Sequence, residues 1–83
     1  MSRVDKWLFH ARFYRTRPLA QAATAAGRIR LNGAKIDKPG HALKPGDVLT
    51  LSKGGQVVAV RVLLLAERRG PATEARTLYE VLE

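Results

Sequence analysis

Apolar residues recur at Val4, Trp7, Leu8 and Ala11, the i, i+3, i+4, i+7 spacing of one helical face, while Arg3, Lys6, His10 and Phe13 occupy a neighbouring one. This pattern predicts a first helix from a Ser2 cap to about Tyr14, with Asp5 supplying a start like a capping box. Thr16 as a cap and Pro18 in a first turn predict a second helix over about Arg17 to Ala26. Its expected buried stripe is Leu19, Ala22, Ala23 and Ala26; Arg17, Gln21, Thr24 and Arg28 are expected outside.

Past Gly27, suited to a left-handed helix stop, the period changes to two. Ile29 and Leu31 alternate with Arg28 and Arg30, and Asn32-Gly33 is a hairpin signal because both residues tolerate positive φ. Lys35-Ile36-Asp37 is the expected return arm, closed by the loop Lys38-Pro39-Gly40. Pro45-Gly46-Asp47 turns into a strand from Val48 to Leu51, and Gly54-Gly55 turns into a central strand from Val57 to Leu65. Pro71 opens a short helix carrying Ala75, Leu78, Tyr79 and Leu82, although Leu78 to Leu82 also fits a strand. The fold class is α+β: two short N-terminal helices on a small, mostly antiparallel sheet, with a short C-terminal helix, in one domain over residues 1–83.

Charge sharpens this picture. Residues 1–46 hold ten Lys or Arg against two acids and residues 47–83 hold five of each, so the whole net charge of +8 lies in the first half. Such segregation points to an electrostatic face for a polyanion, with nucleic acid first and an anionic membrane surface second. The start of the second helix, flanked by Arg15 and Arg17, suits a phosphate. Phe13 is either core packing or a stacking surface for an unpaired base. Trp7 reads as core.

Little else suggests chemistry. There is no cysteine, His10 and His41 lack metal-site spacing and are expected at the surface, and Asp5, Asp37 and Asp47 each sit where a cap or turn favours aspartate. Gly27 to Gly33 lacks the spacing and lysine of a phosphate loop. An enzyme is not expected, nor is a cofactor or a metal. No apolar run reaches the roughly 18 residues of a membrane span, and a cytoplasmic monomer is expected.

The combination Arg3-Val4-Asp5-Lys6-Trp7-Leu8, Ala11-Arg12-Phe13, Thr16-Arg17, Gly27, Ile29, Asn32-Gly33, Lys38-Pro39 and Gly46-Asp47 with Leu49 and Leu51 resembles the RNA-binding domain named after small-subunit ribosomal protein four, the alpha-L motif. The resemblance covers about residues 3–52, leaving 53–83 as supporting strands and a C-terminal element. Trp7 to Arg17 and Glu74 to Glu80 are most similar to ribosome-associated members of the heat-shock and ribosome quality-control type. The resemblance implies binding to ribosomal RNA and the large ribosomal subunit, with peptidyl-tRNA as a further partner, in rescue of stalled subunits. It implies an RNA surface of Arg3, Lys6, Arg12, Arg15, Thr16, Arg17, Gln21, Arg28, Asn32 and Lys38. The strand pattern adds Arg30 and Lys35, which the hairpin is expected to set beside the helical basic face. Heat-shock members continue into a long basic tail; a neutral second half ending at Glu83 implies the shorter quality-control type or a piece of a longer chain. The alternatives are an accessory module of an RNA-modifying enzyme and a basic protein-interaction domain.

Overall fold

A computed structural model of the chain describes residues 2–82. The chain runs β1 (Ser2–Arg3), α1 (Val4–His10), α2 (Arg17–Ala25), β2 (Ile29–Leu31), β3 (Ala34–Ile36), β4 (Ala42–Leu43), β5 (Val48–Lys53), β6 (Gln56–Val62), α3 (Ala72–Ala75), a 3-10 turn (Arg76–Leu78) and β7 (Tyr79–Leu82). Five strands form an antiparallel sheet in the order β3-β2-β5-β6-β7, and β1 pairs with β4 as a separate two-stranded ribbon. The α+β architecture expected from the pattern is the one found.

Alternation decides which sheet face is covered. Ile29, Leu31, Leu49, Leu51, Val60 and Val62 are buried and form one cluster with Val4, Trp7, Leu8, Ala20 and Ala23 of the two helices. Trp7 is fully buried, and its indole N–H donates to the Leu64 carbonyl at 2.9 Å, which satisfies the polar atom that a buried tryptophan carries. Phe13 lies 6.0 Å from the Trp7 ring and 4.7 Å from Tyr79, so it belongs to this packing.

Helix α1 departs from expectation at both ends. Arg3, not Ser2, is its N-cap, and the first N–H groups are satisfied from outside: Val4 donates to the His41 carbonyl at 2.9 Å and Asp5 to the Pro39 carbonyl at 3.1 Å. The helix stops at His10, short of Tyr14, because Arg12 turns left-handed at φ 66°. Arg12 then donates backbone N–H to Phe9 and Phe13 donates to Leu8, a Schellman closure. Helix α2 closes the same way on Gly27, at φ 76°, with Gly27 donating to Thr24 and Arg28 to Ala23.

The α2 stripe is also rotated. Ala20, Ala23 and Thr24 are buried, whereas Leu19, Ala22 and Ala26 are exposed. Arg17 and Gln21 share a face and both reach toward Asp5, which turns the opposite stripe outward. Thr24 tolerates burial because its hydroxyl donates to the Ala20 carbonyl at 2.9 Å.

The Asn32-Gly33 hairpin is as expected, with φ of 51° and 86° at its two turn residues and Leu31 opposite Ala34. Strand β6 ends at Val62, where Leu63 and Leu64 both turn to the Leu78 carbonyl, and β5 rather than β6 occupies the middle of the sheet. The C-terminal segment divides: α3 is one turn, and Tyr79–Leu82 adds to the sheet beside β6.

Candidate nucleic-acid interface

Asp5 is the centre of the first basic cluster. It is fully buried one position beyond Val4 on α1, and its carboxylate accepts from Arg3 Nε and a second Arg3 nitrogen at 3.1 and 3.2 Å, from Gln21 at 3.1 Å and from the Lys6 backbone N–H at 2.8 Å. The Arg17 Nε lies 3.5 Å away; that nitrogen is buried and makes no aligned hydrogen bond, so its tie to Asp5 is ionic rather than directional. Burial alone raises the Asp5 pKa, but hydrogen bonds from Arg3, Gln21 and the Lys6 N–H, with the Arg3 charge, hold it below the ordinary carboxylate value. One buried anion therefore fixes two half-exposed guanidinium groups at the starts of α1 and α2.

The loop before β4 completes the cluster. Because Pro39 and His41 supply the acceptors for the start of α1, the loop is fastened to that helix, and Gly40 lies against the Arg3 guanidinium. Lys38, exposed, stands in the same loop. Lys6 and Arg3 line a hollow of about 320 Å³ with Leu65 and Ala66. Thr16 caps α2 by accepting the Leu19 N–H at 3.3 Å, and exposed Arg15 precedes it. Arg3, Lys6, Arg15, Thr16, Arg17, Gln21 and Lys38 thus gather at the two helix starts and the loops beside them.

The remaining candidates lie elsewhere. Arg12 donates its Nε to the Gly70 carbonyl at 2.8 Å, tying the bend after α1 to the segment before α3. Asn32 donates to Asp47 at 3.1 Å and accepts the Val48 N–H at 2.9 Å, so its side chain serves the hairpin. Asp47 also accepts the Lys44 N–H at 3.0 Å, a turn role matching expectation. Arg30 and Lys35 stand directly opposite each other on the solvent side of the sheet. The hairpin therefore does not set Arg30 beside the helices, since it alternates with buried Ile29 and Leu31. The Lys35 side chain crosses Gly27, where a Cβ would collide with it, and Arg28 sits at the end of α2.

Two functional candidates were not visible in the charge pattern. Asp5 read as a cap, yet its place beside Val4 and Leu8 on the apolar side of α1 signals burial and hence a need for partners. Lys53 belongs to the charge-balanced half, but it donates to the Phe13 carbonyl and stands 4.9 Å over the Tyr14 ring. His10, expected at the surface, is buried: Nδ1 donates to the Ala66 carbonyl at 3.1 Å, which places its proton there. Burial lowers its pKa; the bond to Ala66 works the other way, and the charges of Lys6 and Arg17 lower it further.

This arrangement, two short helices fastened at their starts to a hairpin sheet, agrees with sequence comparison. Residues 2–49 match the S4 domain, and the chain belongs to the S4 domain family. It is 42% identical over 78 residues to Heat shock protein 15 of Escherichia coli K12, covering 94% of this chain and 58% of that protein. It is 36% identical over 81 residues to the RQC P-site tRNA stabilizing factor of Bacillus subtilis, covering 98% of this chain and 92% of that protein. A solved structure of Heat Shock Protein 15 from Vibrio cholerae, described as trimeric, superposes with a TM-score of 0.91 at 35% identity, over 96% of this chain and 80% of that one. The chain spans about three fifths of the length of the Heat shock protein 15 relatives that it matches.

Proposed function

We propose that this chain is a non-catalytic, cytoplasmic RNA-binding protein of the large ribosomal subunit, acting on ribosomal RNA and on tRNA that carries a stalled nascent chain. The observation that carries the reading is the cation cluster ordered by Asp5, in which Arg3 and Arg17 are held in place before any ligand arrives. Pre-ordered cations lose less side-chain entropy on meeting phosphate than free ones do. Family membership supports RNA as the polyanion, and the name of the Bacillus subtilis relative, a P-site tRNA stabilizing factor, supports the tRNA part.

In this reading Arg3, Lys6, Arg15, Arg17 and Lys38 contact phosphates across a structured RNA junction. Shape and backbone rather than base order select the site, because A-form grooves hide base edges from side chains. Arg28, Arg30 and Lys35 extend the basic surface at the far end of α2 and on the sheet, whereas Arg12, Thr16, Gln21 and Asn32 hold backbone or partners in position. The protein acts as a monomer, which light scattering checks directly.

Co-sedimentation with ribosomes resolved into small subunits, large subunits and assembled particles tests the assignment. Binding is expected with large subunits and is expected to weaken steeply with salt. Charge reversal at Arg15 together with Lys38, both exposed, should release the protein while leaving its melting temperature nearly unchanged. Equal recovery with all particles, or none, would overturn the reading.

A further inference from the structure

The apolar stripe on the outer side of α2 lines a groove of about 460 Å³ together with Tyr14, Arg28 and Lys53. That volume is in the range of about 300–1,000 Å³ typical of small-ligand clefts. Leu19 is 50% exposed and Ala22 and Ala26 are exposed beside it, at a helical spacing that would ordinarily belong in a core. No carboxylate lines the groove, and among the described residues neither Arg28 nor Lys53 has an ion-pair partner. The Tyr14 hydroxyl at its wall is buried and has no hydrogen-bond partner among the described residues. A second depression shares Arg28 and Lys53 and continues along the β5–β6 turn, so the cations stand where two hollows meet.

We propose that this groove takes one unpaired nucleotide of the bound RNA. Its base lies against Leu19, Ala22 and Ala26; its phosphate lies between Arg28 and Lys53; and the Tyr14 hydroxyl supplies a hydrogen bond as the nucleotide seats. The chemistry matches on each side: a flat, weakly hydrated base covers apolar surface, and an anion compensates two cations that otherwise have no counter-charge. Neighbouring nucleotides follow the second depression past Gly54 and Gly55. The inference rests on the RNA-binding reading above and adds a contact on the face of α2 opposite the Asp5 cluster. That contact distinguishes a bulged or looped strand from a regular duplex.

The test uses the whole chain and two RNA hairpins with the same stem, one carrying a single-nucleotide bulge. The bulged hairpin is expected to bind at least about fivefold tighter, the gain from removing roughly 40 Å² of apolar surface from water. Leu19→Gln and Ala22→Gln, both at exposed helical positions, should each abolish that preference while leaving affinity for the regular hairpin and the melting temperature unchanged. Equal binding of the two hairpins by the unaltered protein would overturn the groove while leaving RNA binding intact. So would a preference that survives both substitutions, or a loss of affinity for both hairpins together. Failure to bind either hairpin at low salt would instead undo the RNA-binding reading itself.

Discussion

The Arg17 Nε lies 3.5 Å from Asp5 Oδ2, joining the first residue of α2 to a carboxylate that is wholly out of water on α1. Gln21, one turn further along α2, donates to the same oxygen at 3.1 Å. These two contacts set the rotation of α2, and that rotation decides which residues meet α1 and which meet solvent. Asp5→Asn separates two accounts of the basic face. If charge alone governs RNA affinity, removing an acid should tighten binding. If Asp5 positions Arg3 and Arg17, binding should weaken despite the added positive charge, and this is the expected result in a filter-binding or anisotropy titration. Stability should fall by about 1–3 kcal/mol in urea unfolding, below a fully buried pair because both guanidinium groups are partly in water.

The fold was legible in the sequence wherever a local signal had no competitor. Gly27 stopped α2, Asn32-Gly33 made the hairpin, and the alternation around Ile29 and Leu31 identified the buried sheet face. The end of α1 was hidden because its left-handed position holds Arg12 instead of glycine, so the helical periodicity ran on through Phe13 and Tyr14. The α2 phase was hidden because a stripe of alanines has two plausible sides, and a tertiary contact with Asp5 chose between them. Of the candidate interface, the helix-start cations were visible as charge; the acid that orders them, and Lys53 by the opposite face of α2, become apparent only in three dimensions.

Arg12 permits a backbone test that separates conformation from contact. At φ 66° a residue with a Cβ is strained by about 1–2 kcal/mol, while its Nε bond to Gly70 compensates in this chain. Arg12→Gly and Arg12→Ala both remove the tether, but only glycine relieves the strain. The glycine variant should therefore be the more stable of the two, by about 1 kcal/mol in the midpoint-derived free energy. Equal stabilities would mean that the bend relaxes when the tether is lost.

Two buried titrating groups give stability a stepped dependence on acid. His10 has a folded pKa below its ordinary value of 6.5. Between those values the unfolded imidazole holds a proton that the folded one does not, so stability rises with pH through that window and declines on acidification below about 6.5. Asp5 has a folded pKa below 3.8, so its contribution is present above 3.8 and is lost as pH falls through the folded value. Urea midpoints measured across pH should show both declines, and His10→Gln should remove the upper one only.

Arg30 and Lys35 occupy directly opposed positions on β2 and β3, and Thr50 on β5 is the neighbour on the other side of Arg30. Like charges placed this way oppose strand pairing, whereas an opposite pair contributes about 0.2–1 kcal/mol. No fold requirement calls for a cation at Arg30, which is exposed between buried Ile29 and Leu31. Arg30→Glu should therefore raise thermal stability slightly while reducing RNA affinity and flattening its salt dependence, because one phosphate contact is lost and a repulsive charge takes its place. A variant that gained stability and kept full affinity would remove the sheet face from the interface and confine RNA contact to the helix starts and the α2 groove.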